Sequence, residues 1–428
     1  MAPELRDLLD RSVEHPPREP YDVGTIVHRA RRSRRRHRTL AVAGSVLGVV
    51  AVVGLVVGVV NTRPAGPPVA DNAVVGPVAH LTDAVRGVDG RDYALVSTYV
   101  NTDLDAGNGR LFPAVTSSGA VLVSQATLRV PDERMSEITQ YGVLSPATGE
   151  TAWLPAPPDA TYSNDHAPSG PDVVALTDDT AVWVDSSDEK TWKVDLYARA
   201  AGTWSSFAIP VGSLPHADEP MFPDHVRLAD NRLWFTLEAG PRTQRLWSMP
   251  ADGSSPPRTE GRVGDWDIAG STLVSTDVTN APASRMTVRD LGTGTSRSFD
   301  PRSGDRCNQL GLTVARGRVA LAEYCGTRHK VRDDRVQVLT TSGDPVITIQ
   351  GDGVELGGLG SAFVSVDANA GKPGDGSYVY DLDRARLVRL STGVGSFDGV
   401  AGAGGSTLTW GTPVNDRRGT KLWAATWQ

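Results

Sequence analysis

The sequence predicts an all-β chain, a seven-bladed β-propeller, preceded by one transmembrane α-helix and a short cytoplasmic tail. Three observations predict it. A short unit of two turn-forming residues, one variable residue and an apolar residue opening a strand recurs seven times. Gly (45) and Pro (29) make up about a sixth of the 428 residues, which favours many short elements joined by turns. Leu40 to Val60 is a run of 21 uncharged residues.

Residues 1–38 form the tail. Leu5, Leu8, Leu9 and Val13 recur at helical spacing until Pro16-Pro17. A second short stripe (Val23, Ile26, Val27, Ala30) follows Asp22, a suitable N-cap. Helices of two or three turns are marginal alone in water, so these need a partner surface. A cytoplasmic regulatory protein or the inner leaflet would supply one; otherwise the tail is a solvated topology signal. Its Arg31, Arg32, Arg34, Arg35, Arg36 and Arg38 precede residues 39–60, the expected span. The 21-residue run would be roughly 31 Å long as a helix, which matches the hydrocarbon core. Arg63 is the only Lys or Arg in the twenty residues after it, so the positive-inside bias puts the N-terminus in the cytoplasm and the remainder outside the cell membrane. A cleaved signal peptide would have a shorter apolar run ending in a small-x-small site, and Val59-Val60-Asn61-Thr62 is not one. Gly44 and Gly48 give the span a small-xxx-small face on which two copies could pack as a homodimer, although a Gly/Ala/Val-rich span has such a face by composition alone.

Residues 61–90 read as a stiff linker around Pro64, Gly66, Pro67 and Pro68. Residues 91–428 read as the propeller. The apolar positions of the recurring unit are Val121, Ala181, Leu233, Leu273, Val319, Phe363 and Leu408, which are 60, 52, 40, 46, 44 and 45 residues apart. Propeller blades repeat at about 40–50 residues. Each unit has a second half in which an alternating strand runs into a Gly or Asp turn, as at Leu246–Met249 before Asp252-Gly253. Two hairpins per unit make a four-stranded blade. The last unit ends at Gln428 without a fourth strand, and an unassigned strand over Asp92–Val100 precedes the first unit. Closing the ring with it removes an exposed sheet edge. The two irregular first gaps also leave six or eight blades open.

This architecture resembles the WD40-like and TolB-like β-propellers. More narrowly it is similar to actinobacterial single-pass proteins with an Arg-rich tail and an extracytoplasmic propeller. Only one Trp-Asp pair occurs (Trp266-Asp267), so the repeats are not WD40 in the strict sense. In that narrower group, members often accompany alternative sigma factors, which implies a regulatory role for the tail. The tail lacks the His-x-x-x-Cys-x-x-Cys motif of zinc-binding anti-sigma domains.

The only cysteines, Cys307 and Cys325, are 18 positions apart in the exported part and most simply form a disulfide. No Gly-x-Ser-x-Gly elbow, His-Glu-x-x-His pair or phosphate loop is present, so the residues suggest no catalytic group and no cofactor. The weak metal candidates are His216, Asp218, Glu219, Asp224 and His225, gathered on one Pro-rich loop before the third unit, where imidazole and carboxylate suit a divalent cation. Polar loops need no such role. Trp192, Trp204 and Trp266 lie near turns and either pack or line a sugar- or peptide-binding face. Overall charge is −7 despite the basic tail, which excludes a nucleic-acid-binding body. The expected function is a non-enzymatic binding or sensing module for a protein, peptide or glycan outside the membrane, signalling through the tail. The alternatives are a hydrolase or lyase acting at the channel mouth, and an envelope scaffold.

Overall fold

The computed structural model describes residues 76–428, apart from 102–108, 130–133, 159–171, 189, 216–224, 241, 305–306, 329–330, 372, 395–404 and 415–418. The tail, the run Leu40–Val60 and the Gly44/Gly48 face lie outside the described residues. Among the described residues, no helix is long and apolar enough to cross a membrane.

The described strands form seven sheets. Blades 1 to 4 are four-stranded antiparallel meanders that start at Gly109, Asp172, Val226 and Trp266. Blades 5 and 6 start at Asn308 and Val354, and blade 7 contains Thr407–Val414 and Gly419–Trp427. The first strands of blades 2 through 6 approach one another in succession, and blade 7 touches both blade 6 and blade 1, so the blades form a closed ring.

Local chemistry explains the seven recurring units. In blades 1 to 6 each of their apolar positions lies at the start of the second strand, directly after the turn, and in blade 7 Leu408 lies at the start of Thr407–Val414. In blade 3 the turn residues Asp230 and Asn231 have φ of 50° and 52°, and in blade 5 Arg316 and Gly317 have φ of 43° and 74°. Two consecutive residues at positive φ make the tight hairpin turn whose twist suits paired strands.

Beyond the turn, the expected alternation gives way to continuous apolar runs such as Val121–Val123, Ala181–Val184 and Leu233–Phe235, all buried. The reason is that both faces of each sheet are covered. Leu233 and Phe235 pack toward blade 2, while Trp234 packs with Trp266 and Ile268 of blade 4. Separate apolar clusters fill the interfaces from blade 1–2 through blade 6–7. The core is therefore a set of interfaces between blades, and each fully buried side chain there contributes about 1.5–3 kcal/mol.

The N-terminal segment closes the ring as expected. Tyr93–Asn101 pairs antiparallel with Gly419–Trp427 as the outer strand of blade 7. The ring also recruits residues that the sequence assigned to the linker. Val78–His80 pairs parallel with the outer strand of blade 5, and Val85–Arg86 does the same on blade 6. One short segment thus runs along the rims of three consecutive blades. The buried Asp92 pins it, accepting from Val88 N at 2.8 Å, Arg91 Nη2 at 2.7 Å and Arg386 Nη2 of blade 6 at 2.5 Å. Asp92 O also accepts from the backbone N of Gln428, so both ends of the ring meet at this residue.

Candidate functional site

In an antiparallel meander the start of the first strand, the end of the second and the start of the third lie at one edge. That edge of blades 3 to 6 forms one face of the ring, called here the front face, and it holds a series of polar side chains, from the buried Asp267 and Glu323 to the half-buried Asp367 and the exposed Glu355.

His225 enters this face immediately before blade 3. Its ring meets Trp266 edge-on at 4.7 Å, and Nε2 lies 3.9 Å from Asp267 Oδ1. Asp267 also accepts from Arg227 Nε at 2.9 Å, Thr313 Oγ1 at 2.9 Å and Val314 N at 3.1 Å, which ties together the first strands of blades 3, 4 and 5. Burial would raise its pKa, but Arg227, His225 and the Val314 N–H outweigh that and hold the carboxyl well below the usual range. His225 is thus part of a network joining three blades. His216, Asp218, Glu219 and Asp224 lie outside the described residues. Trp192 and Trp266 are 1% and 3% exposed and line no ligand face, because the strands around them are covered on both sides. Trp204 is half-buried against Trp183 and Tyr197.

Cys307 and Cys325 are joined in a disulfide at the front edge of blade 5. It links the segment entering the first strand to the end of the second. Glu323 lies beside it, and burial raises its carboxyl despite Ser303 and Arg335 nearby.

At the inner end of blade 6, Glu355 on the first strand and Asp367 on the second are direct cross-strand partners. Burial raises both carboxyls. For Glu355 the neighbouring Asp367 adds to the rise and Arg332 offsets part of it. For Asp367 the Ser377 hydroxyl offsets part, from beyond a well-formed hydrogen bond. The adjoining edge of blade 5 is already neutralised: Arg332 pairs with Asp334 at 2.9 Å, and Gly353 N donates to Asp334 at 2.8 Å. Two carboxyls with raised pKa values can share a proton or accept a cationic group. Sequence reasoning missed this pair. Counting outward from the Ser361-Ala362 turn would pair Glu355 with Ala368; a bulge between Leu356 and Gly358 shifts the register by one and brings Asp367 opposite instead.

A cleft of about 150 Å³ opens between blades 1 and 2, walled by Tyr141, Leu154, Pro155, Pro157 and Trp183. Trp183 is 1% exposed, and its Nε1 donates to no acceptor among the described residues. Among the described residues, only Cys307, Glu323 and Cys325 form a set of three metal-ligating side chains with their ligand atoms within 4.8 Å of one another.

The strand pairing defines the class as a seven-bladed β-propeller. No family model matches the sequence, and no curated protein matches it. Solved structures that align with it include a β-propeller domain from Myceliophteria thermophila, at 12% identity, covering 76% of this chain and 99% of that one with a TM-score of 0.42. An oligogalacturonate lyase in complex with manganese aligns at 11% identity over 80% of this chain and 99% of that one, with a TM-score of 0.47. A prolyl endopeptidase aligns at 13% identity over 81% of this chain, with a TM-score of 0.44, and the chain spans 48% of that structure. Likenesses of this order carry nothing about activity.

Proposed function

We propose that this chain is a single-pass membrane protein of actinobacterial type whose propeller lies outside the cell and binds a peptide segment, with the tail reporting to a cytoplasmic regulator. The cleft between blades 1 and 2 carries the binding reading. Its walls are aromatic and prolyl with Gln140 beside them, and the indole N–H of Trp183, one of the lining residues, has no acceptor among the described residues. A peptide carbonyl would satisfy that donor while an apolar side chain fills the space. The rim segment supports coupling to the tether, because a chain entering through Val78–Asn101 is fastened to three blades rather than hung from one. A glycan or a folded protein is the other ligand class for the same surface.

The test has two arms. The full-length chain and its Trp183→Phe variant would be probed with proline-containing peptides and with cell-wall fragments. Binding of a peptide, weakened about tenfold or more in the variant, supports the reading; binding unaffected by the substitution overturns the cleft assignment. Residues 1–38 would serve as bait in cytoplasmic extract. Specific recovery of a sigma factor or another regulator supports signalling, and recovery of nothing specific reduces the tail to a topology signal.

The Glu355–Asp367 pair favours a second reading, a hydrolase or lyase acting at the channel mouth. One carboxyl held protonated beside another able to ionise is the arrangement general acid–base chemistry requires. Turnover of oligosaccharide substrates that is lost in Glu355→Gln would establish it, and the absence of turnover in the intact chain would remove it.

A further inference from the structure

Glu323 and Cys325 are two positions apart on the second strand of blade 5 (Arg318–Arg328), so the two-residue period of a strand turns both to one face. Cys307, just ahead of the first strand of that blade (Asn308–Ala315), meets them there. One ligand atom from each of the three lies within 4.8 Å of the others. The residues are 0% (Cys307), 3% (Glu323) and 3% (Cys325) exposed. Glu323 Oε1 accepts from Ser303 N at 3.2 Å, whereas Oε2 is buried with no hydrogen-bond partner among the described residues. A carboxylate oxygen buried without a donor is costly, and bonding to a cation is one role that offsets the cost.

We propose that, when the Cys307–Cys325 bridge is reduced, Cys307 Sγ, Cys325 Sγ and Glu323 Oε2 form a binding site for a thiophilic divalent cation such as Zn²⁺. The donor set of two thiolates and one carboxylate suits that ion, with a water or the Ser303 hydroxyl in the fourth position. Ser303 Oγ lies 3.7 Å from Cys307 Sγ. Zn–S bonds of ~2.3 Å in tetrahedral geometry place the sulfurs ~3.8 Å apart, close to the spacing of two thiols in contact. The bound set carries one net negative charge. Arg335, 1% exposed, stands beside it and donates to the Ser303 carbonyl and hydroxyl at 3.2 Å each. Reduction by a phosphine breaks the S–S bond with two electrons. Water supplies the oxygen of the phosphine oxide and the protons of the two thiols, and those two protons leave as the thiolates bond to the cation.

The test uses the full-length chain, reduced with a phosphine under anaerobic conditions, freed of reductant and titrated with Co²⁺ and then Zn²⁺. One Co²⁺ per chain with a thiolate-to-cobalt charge-transfer band, displaced by Zn²⁺ and absent from the oxidised chain, is the expected result. Glu323→Gln should weaken binding roughly tenfold or more while keeping the thiolate band, and Cys307→Ser should abolish that band. Circular dichroism of each sample shows whether the sheets persist. Failure of the reduced chain to take up cobalt, or unchanged affinity in Glu323→Gln, would overturn the proposal. So would a reduced chain that loses its sheet signal and does not regain it with Zn²⁺.

Discussion

Blade 6 holds two carboxylate sites, one at its outer rim and one at its inner end, neutralised in opposite ways. At the rim, Asp92 is fully buried, yet Arg91, the Val88 N–H and Arg386 outweigh its burial and bring its pKa down to about 2. At the inner end, Asp367 and Glu355 face each other, and no described residue forms an ion pair with either. Arg332 is near enough to act on Glu355, but its guanidinium is already bonded to Asp334. The rim site therefore stays charged and joins chain segments 294 residues apart in sequence. At the inner site the exposed Glu355 and half-buried Asp367 hold charge against a desolvation cost that Arg332 and Ser377 offset only in part. A carboxylate that has its own cations is part of the structure; a pair without them is where a ligand or a proton has something to gain.

Breaking the rim site should have the largest effect. Asp92→Asn leaves two guanidinium groups facing a neutral amide and loosens the strand that closes the ring. We expect a loss of about 3 kcal/mol or more, read as a lower urea midpoint, with cleavage ahead of Tyr93 in limited proteolysis. A double-mutant cycle with Arg386→Ala should return a coupling energy of at least about 1 kcal/mol. Simple additivity of the two losses would show that the contact does not hold the seam.

Acid titration should separate the two sites next. The folded pKa of Asp92, about 2, lies below the ordinary carboxylate value of ~3.9, so its stabilisation is complete above about pH 4 and is lost as pH falls through 2. Asp92→Asn should remove that part of the acid limb. Wild-type and variant curves that stay parallel between pH 4 and 2 would contradict it.

The same contrast explains what the sequence disclosed. The seven opening positions were legible because tight turns are local chemistry: Asp230-Asn231 and Arg316-Gly317 carry their signal in two residues. The closing strand was legible because an alternating segment without a partner preceded a last unit that lacked one. Val78–His80 and Val85–Arg86 were not, since strands of three and two residues are too short to show a period, and their parallel pairing depends on the rest of the ring. Of the two roles open to Trp192 and Trp266, packing is the one they have, since each is buried between neighbouring blades. The Asp92–Arg386 contact is invisible in sequence at that separation. Glu355 and Asp367 were not within reach either, because a bulge between Leu356 and Gly358 shifts the hairpin register by one and no residue there announces it.

A substitution at the inner site should act in the opposite sense from one at the rim. Glu355 has a folded pKa of about 7 against ~4.3 for an ordinary glutamate, so the unfolded chain ionises first as pH rises. Stability is unaffected below about pH 4, declines as pH rises toward 7 and is lowest above it. Glu355→Gln should therefore leave stability at pH 4 unchanged and raise Tm at pH 8 by no more than about 2 °C. An equal shift at both pH values would mean that packing rather than charge was altered.

The smallest expected effect is also the most discriminating. Arg332 is the one cation that lowers the Glu355 carboxyl, and it acts while bonded to Asp334. Arg332→Gln removes that influence, so the Glu355 side-chain resonance should titrate at a higher pH than in the wild type. The same change removes the partner of the Asp334 carboxyl, whose pKa burial has already raised. Both residues should move upward together. Asp92, which bonds to Arg386 on the outer strand of blade 6 and is held by its own arginines, should not move. Movement of Asp92 as well would mean that the substitution distorts blade 6 as a whole, and the two sites could no longer be treated as independent.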